Sequence, residues 1–345
     1  MDKAGGILLQ HLISLPVLYS FNLGYGRTVT MEEIIRTVNL TKQYGNKVIV
    51  DRVSISVKKG EIYGFLGLNG AGKTTTIRAL LGMSKPSSGE VYLFGQRWAN
   101  GNPDLSKRVG YMVEVPYAYP NFTVRENLSL MARLRGLPVP RAVDEIMEQL
   151  NLTQYADSKA RDLSLGNGQK LGLAKALIHK PDVLILDEPT NALDPAGIVE
   201  IREMLKALAS QQGVTVFISS HILEEMSKMA SRIGIIHKGV LLEELTTKDF
   251  ETIRRKQLMI DTKDARKAQA ILSDSGYAVH STSNNCLALP DDHAVKHPEH
   301  IAKLLAQHEV PLTMLNIEEE NLEHYFLKVI GAQEGKRNET IADSL

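Results

Sequence analysis

The run Gly67-Leu68-Asn69-Gly70-Ala71-Gly72-Lys73-Thr74 constrains this chain more than any other feature. It matches G-x-x-x-x-G-K-[ST], with an apolar stretch, Glu61–Leu66, before it and a helical pattern over Thr74–Leu81 after it. At average glycine usage such a match arises by chance in about one chain in a hundred of this length. The strand–loop–helix context sharpens it further. Gly67, Gly70 and Gly72 let the backbone curl so that its N–H groups converge on one point. The helix that follows aims its partial positive end at the same point. Lys73 adds a charge suited to β- and γ-phosphates, and Thr74 adds a hydroxyl suited to Mg²⁺.

A second element lies downstream. Val183-Leu-Ile-Leu-Asp187-Glu188 is an apolar strand that ends in two acids. Carboxylates at the end of a buried parallel strand are costly without a partner or a task. Alone, the pair reads equally well as a helix N-cap. With a phosphate loop in the same chain, Asp187 suits the metal through water, and Glu188 suits orienting or deprotonating an attacking water. The strand Thr215–Ser219 leads into Ser220-His221, and an imidazole there suits a bond to the terminal phosphate.

Short β-rich runs alternate with helical stretches from residue 34 onward, which predicts an α/β fold. Strands are expected at Ile35–Val38, Val53–Val57, Gly89–Leu93, Arg232–His237 and Val240–Glu243. Residues 257–330 predict β-α-β-β-α-β, with the second strand at Tyr277–His280, and a final amphipathic helix, a ferredoxin-like order. The expected domains are 31–245, an accessory α+β domain at 246–335, and a frayed tail at 336–345. Residues 4–26 carry no Asp, Glu, Lys or Arg, but Gln10, His11, Pro16 and Asn22 dilute the run as a membrane span. Residues 1–30 are expected to be an upstream extension outside the fold, with Met31 as the working start. Charges interrupt every later apolar run. Lys plus Arg total 40 and Asp plus Glu total 40, so no basic excess or stripe points to nucleic acid. Cys286 is the single cysteine, which excludes an internal disulfide or a multi-cysteine zinc site.

Leu163-Ser164-Leu165-Gly166-Asn167 stands about twenty residues before the acidic strand, followed by Gly168-Gln169-Lys170. This ordered set of motifs, over residues 35 to about 243, resembles the ATP-binding subunit of ABC transporters. The resemblance implies a P-loop ABC ATPase core, an antiparallel β subdomain and a helical subdomain at about 115–170. It implies ATP and Mg²⁺ as cofactors, with the loop from Gly67 through Thr75 on the nucleotide and Thr74 and Asp187 toward the metal. It implies Glu188 and His221 as the hydrolytic pair. Tyr44 is similar to the aromatic that stacks on adenine, although a core aromatic is the alternative. Ser164, Leu165, Gly166 and Asn167 correspond to the signature that reaches a partner's ATP, and Asp194 to the D-loop. The implied partners are a second ATP-binding subunit and separately encoded permease subunits, at the cytoplasmic face of the membrane.

Two positions depart from the family pattern. The signature reads LSLGN where the family commonly has LSGGQ, and Glu114 stands at the lid where it commonly has glutamine. A carboxylate still accepts bonds but has no amide N–H to donate. A lid glutamate is similar to the bacitracin-resistance and lantibiotic-immunity branch, which implies peptide export. Tyr117, Tyr119 and Phe122 beside the lid suit a short helix of a membrane partner, or else the subdomain core. A non-transport ATPase of the same superfamily is the rival reading. Against it, the chain holds one cassette, and only about 90 residues separate the P-loop from the signature. His280, His293, His297, His300 and His308 are irregularly spaced without a cysteine or paired acid, so they read as solvated surface residues.

Overall fold

Ile62–Leu66, Val183–Asp187 and Thr215–Ser220 are buried at every position, the pattern of strands covered on both faces. The computed structural model describes residues 18–21, 29–98, 103–114, 117–253, 256–282, 286–319, 322–323 and 325–332. It divides into two units, Met1–Thr247 and Lys248–Leu345.

In the first unit the core sheet runs Val240–Thr246, Arg232–His237, Ile62–Leu66, Thr215–Ser220, Val183–Asp187, Val109–Met112. Its pairs are parallel except at the Val240–Thr246 edge. Parallel order puts the C-terminal ends of three neighbouring strands side by side, and those ends carry Leu66, Asp187 and Ser220. That is where an open α/β sheet holds ligands. Tyr63, Phe65 and Phe217 are fully buried on adjacent strands, with ring centroids 5.4 Å apart in each of two pairs.

A second sheet is built around one long strand, Val29–Tyr44, paired antiparallel with Lys47–Val53, Ser56–Lys58 and Ser88–Leu93. The strand expected over Val53–Val57 is interrupted. Thr37 Oγ1 donates to the Val53 carbonyl and accepts from the Ile55 N–H, both at 2.9 Å, so a side chain replaces the ladder there. One short strand lies within residues 1–30. Leu18–Phe21 pairs antiparallel with Val29–Glu32, which adds an edge strand from a segment expected to lie outside the fold. Polar residues that weaken a membrane span do not weaken a β-prone Leu-Tyr-Ser-Phe run. The rest of 1–28 and the tail 336–345 lie outside the described residues.

The helical region contains Val124–Leu134, Val139–Gln149 and Leu165–Leu177. Thr123 and Glu126 form a capping box on the first. Asn127 is buried and ties down the loop before it. Its side chain accepts from Tyr119 N–H and donates to the Tyr119, Phe122 and Thr123 carbonyls. Among the described residues, no helix is long and apolar enough to cross a membrane.

His179, just past Leu165–Leu177, supplies a pH test of this region. Its Nε2 lies 3.2 Å from the Val109 carbonyl, and Nδ1 is buried without a hydrogen-bond partner among the described residues. Burial pulls its pKa down to about 4, the Arg135 charge adds to this, and the Val109 carbonyl opposes it. The unfolded imidazole titrates at about 6.5. Between the two values the unfolded chain binds the extra proton, so this contribution is full above about pH 6.5 and is lost as pH falls toward 4. In urea unfolding, His179→Leu is expected to lose less stability than the wild type over that window. Equal pH slopes for the two proteins would contradict it.

In the second unit the sheet order is His280–Ser281, Leu287–Leu289, Lys256–Thr262, Leu312–Glu319, all antiparallel. Helices Ala265–Asp274 and Pro298–Gln307 supply the crossovers, as the ferredoxin-like order requires. Leu258, Ile260, Leu272, Leu287, Ile301 and Leu305 form its core. The strand expected at Tyr277–His280 is shortened. Gly276, at φ +89°, and a Tyr277 N–H bond to the Leu272 carbonyl use those residues to close the helix.

Candidate nucleotide site

The P-loop leaves the end of Ile62–Leu66 and turns into the helix Lys73–Leu80. Two positions require glycine. Gly72 has φ +108°, a left-handed conformation at the helix N-cap. A Cβ on Gly67 would lie 2.5 Å from the Ile236 carbonyl oxygen. No side chain caps the helix, so its first N–H groups stay open to an anion.

Lys73 is buried inside the loop. Its Nζ donates to the Gly67 carbonyl at 2.6 Å and lies 3.2 Å from Glu188 Oε1. Thr74 Oγ1 donates to Asp187 Oδ2 at 2.7 Å. The structure therefore joins the two motifs that sequence separates by more than a hundred residues. His221 Nδ1 lies 2.8 Å from Glu188 Oε2, so one carboxylate bridges the lysine and the histidine. Glu188 sits at φ +51°, a strained conformation for a side-chain-bearing residue and one that clusters at functional positions.

Two residues that hold this geometry are absent from the sequence-based set. Ser219 Oγ donates to Asp187 Oδ1 at 2.6 Å and also accepts from the Glu188 N–H at 3.1 Å. The fully buried serine thereby orients both acids at once. Gln169, in the signature helix, donates to the Glu188 carbonyl at 3.1 Å. A polar residue at the end of an otherwise apolar buried strand is the signal that points to Ser219.

Other candidates sort differently. Tyr44 is half exposed, with the Lys42 ammonium 4.7 Å from its ring centre and its hydroxyl 3.3 Å from Ser84 Oγ, so it is not a core aromatic. Tyr117, Tyr119 and Phe122 are also exposed, which removes the core alternative for them. Glu114, at φ +56°, pairs with Arg78 Nη2 at 2.7 Å, one helical turn beyond Thr74. Ser164 caps the helix Leu165–Leu177 by accepting from Asn167 N–H, and Leu165 is 81% exposed at the tip. A Cβ on Gly166 would lie 3.3 Å from the Ala192 carbonyl, so the signature abuts the D-loop. Asp194 accepts from Gly197 N–H at 2.9 Å and caps Pro195–Gln212. Its carboxylate is committed within its own loop.

Residues 50–191 match the ABC transporter family model. The chain is 41% identical over 307 residues to the bacitracin transport ATP-binding protein BcrA of Bacillus licheniformis, covering 87% of this chain and 98% of the relative. It is 32% identical to the linearmycin resistance ATP-binding protein LnrL of Bacillus subtilis, over 86% of this chain and 98% of the relative. Among solved structures it resembles a dimeric ATP-binding cassette in a post-hydrolysis state with ADP and Pi bound. That match has a TM-score of 0.58 and 26% identity, over 62% of this chain and 99% of the other. With a phosphate loop joined to an acidic strand end and full-length relatives of this kind, the chain belongs to the ABC transporter family as an ATP-binding, ATP-hydrolysing subunit.

Proposed function

We propose that this subunit powers export of a peptide antibiotic of the bacitracin or lantibiotic kind through separately encoded membrane subunits. One observation carries the reading. The 41% identity to a bacitracin transport ATP-binding protein spans 98% of that relative. The subunit acts at the cytoplasmic face of the membrane, as a pair with a second ATP-binding subunit.

The residues support the following roles. The P-loop N–H groups and Lys73 hold the β- and γ-phosphates, and Tyr44 offers its exposed ring to the adenine. Thr74 and Asp187 present hard oxygen donors side by side, a set that suits Mg²⁺, which neutralises phosphate charge when bound. Glu188 takes the proton of the attacking water, and His221 holds that carboxylate and reaches for the γ-phosphate. Lys73 and Glu188 hold one another until the phosphate competes for the ammonium. The exposed signature tip at Ser164–Asn167 suits a contact with the nucleotide of the second subunit. The groove lined by Arg78, Tyr111, Glu114, Tyr117, Arg135 and Lys175 suits a short helix of the permease.

The test compares the native host with a strain carrying Glu188→Gln in this gene, against bacitracin and several lantibiotics. Selective sensitisation to one peptide class is expected. Unchanged inhibition across the panel would remove peptide export and leave the ATPase standing.

A further inference from the structure

The fold divides the five C-terminal histidines that read as scattered surface residues. His280 lies on the short edge strand His280–Ser281, and His308 caps the far end of Pro298–Gln307. The other three come together. Helix Asp292–Lys296 ends at His297, where the next helix begins. His297 N–H donates to the His293 carbonyl at 2.9 Å, and His300 N–H to the His297 carbonyl at 3.0 Å. His297 leaves helical geometry there, at φ −132° and ψ 59°, and the turn folds the two short helices so that the three rings meet. Ring centroids are 5.0 Å apart for His293 and His297, 5.5 Å for His293 and His300, and 5.2 Å for His297 and His300. Glu299 Oε1 lies 3.2 Å from His297 Nδ1. Ligand atoms of His297, Glu299 and His300 fall within 4.8 Å of one another.

The spacing has a direct chemical reading. Imidazole nitrogens bind Zn²⁺ at about 2.0–2.1 Å, and the ring centre lies about 1.2 Å further out, so two rings at a tetrahedral angle have centres about 5.2 Å apart. All three observed separations lie close to that value. Three imidazoles crowded on an exposed surface gain little from apolar burial. Protonated, they would repel one another, whereas a shared cation uses all three lone pairs. Imidazole and carboxylate together suit a borderline divalent ion more than Mg²⁺ or Ca²⁺. We propose that His297, Glu299 and His300, with the neighbouring His293 ring turned in as a further donor, form a surface site for a divalent first-row transition metal, with Zn²⁺ the ion that fits the donor set. Exposed side chains need only rotate to close on the ion. The site shares no residue with the nucleotide site and rests on no part of the export reading.

The experiment titrates full-length protein with Zn²⁺ alone, in chelator-cleared buffer without Mg²⁺ or nucleotide, by isothermal titration calorimetry. The variants are the double substitution H293A/H300A, the control H280A/H308A, and Glu299→Gln. One Zn²⁺ per chain is expected in the wild type and in the control. H293A/H300A is expected to weaken binding at least about tenfold, and Glu299→Gln by about tenfold. Because the three rings are exposed, circular dichroism is expected to show an unchanged fold. Substituting Co²⁺ is expected to give visible d–d absorption in the wild type without a thiolate charge-transfer band. No Zn²⁺ uptake by the wild type, or equal affinity in wild type and H293A/H300A, would overturn the site.

Discussion

Glu188→Gln is expected to lower ATP turnover by about 10²- to 10⁴-fold while leaving nucleotide binding in place. The reason lies in how the carboxylate is held. One oxygen is 3.2 Å from the Lys73 ammonium and the other 2.8 Å from His221 Nδ1. The backbone of Glu188 is fixed from both sides, with its N–H on Ser219 Oγ and its carbonyl accepting from Gln169. Glutamine keeps the volume and the backbone restraints. It removes the charge and the proton-accepting oxygen, so water is no longer activated. The P-loop N–H groups, Lys73 and Thr74 are untouched, so ATP still binds. A nucleotide that binds without being cleaved keeps any ATP-bridged pair closed. Size-exclusion chromatography with ATP is therefore expected to show a stable dimer in the variant and a transient one in the wild type. Turnover at the wild-type rate would take the general-base role away from Glu188.

The nucleotide site was largely legible in the sequence because its parts are local patterns with a physical grammar. Glycines at fixed spacing, a lysine at a helix start and acids at the end of an apolar strand each carry a reason that needs no fold. What escaped is what the fold alone brings together. Ser219 and Asp187 are far apart in the chain, and only neighbouring parallel strands set their ends side by side. Arg78 meets Glu114 by the same kind of long-range placement. Thr37 breaks a strand by a side-chain bond that propensity does not register. Five histidines at irregular spacing hide three that meet, because His297 ends one short helix, leaves helical geometry and starts the next at Pro298. In the C-terminal unit the strand and helix order was readable from periodicity. The Gly276 turn took residues that β-propensity assigned to a strand.

Lys73 is where binding and folding of the site depend on one atom. Lys73→Ala is expected to weaken ATP binding by about 10- to 100-fold, from loss of a charge-assisted bond of about 1.5–3 kcal/mol. It also strands Glu188, which is only 17% exposed, with His221 as its remaining side-chain partner. Removing one member of a partly buried pair costs more than the pair contributes, because the other charge stays behind. The variant is therefore expected to be less stable even without nucleotide. Lys73→Arg is expected to fail as a rescue. The lysine is 6% exposed, and its Nζ sits 2.6 Å from the Gly67 carbonyl in a loop closed against Ile236. A planar guanidinium needs space that this loop does not have. Thermal unfolding with and without Mg·ATP separates these effects. At about a hundredfold excess over Kd, the wild type gains about 2.7 kcal/mol from ligand linkage. Both variants are expected to gain much less, and Lys73→Ala to start from a lower melting temperature. A full nucleotide-induced shift in Lys73→Ala would mean that the loop's N–H groups hold the phosphates unaided.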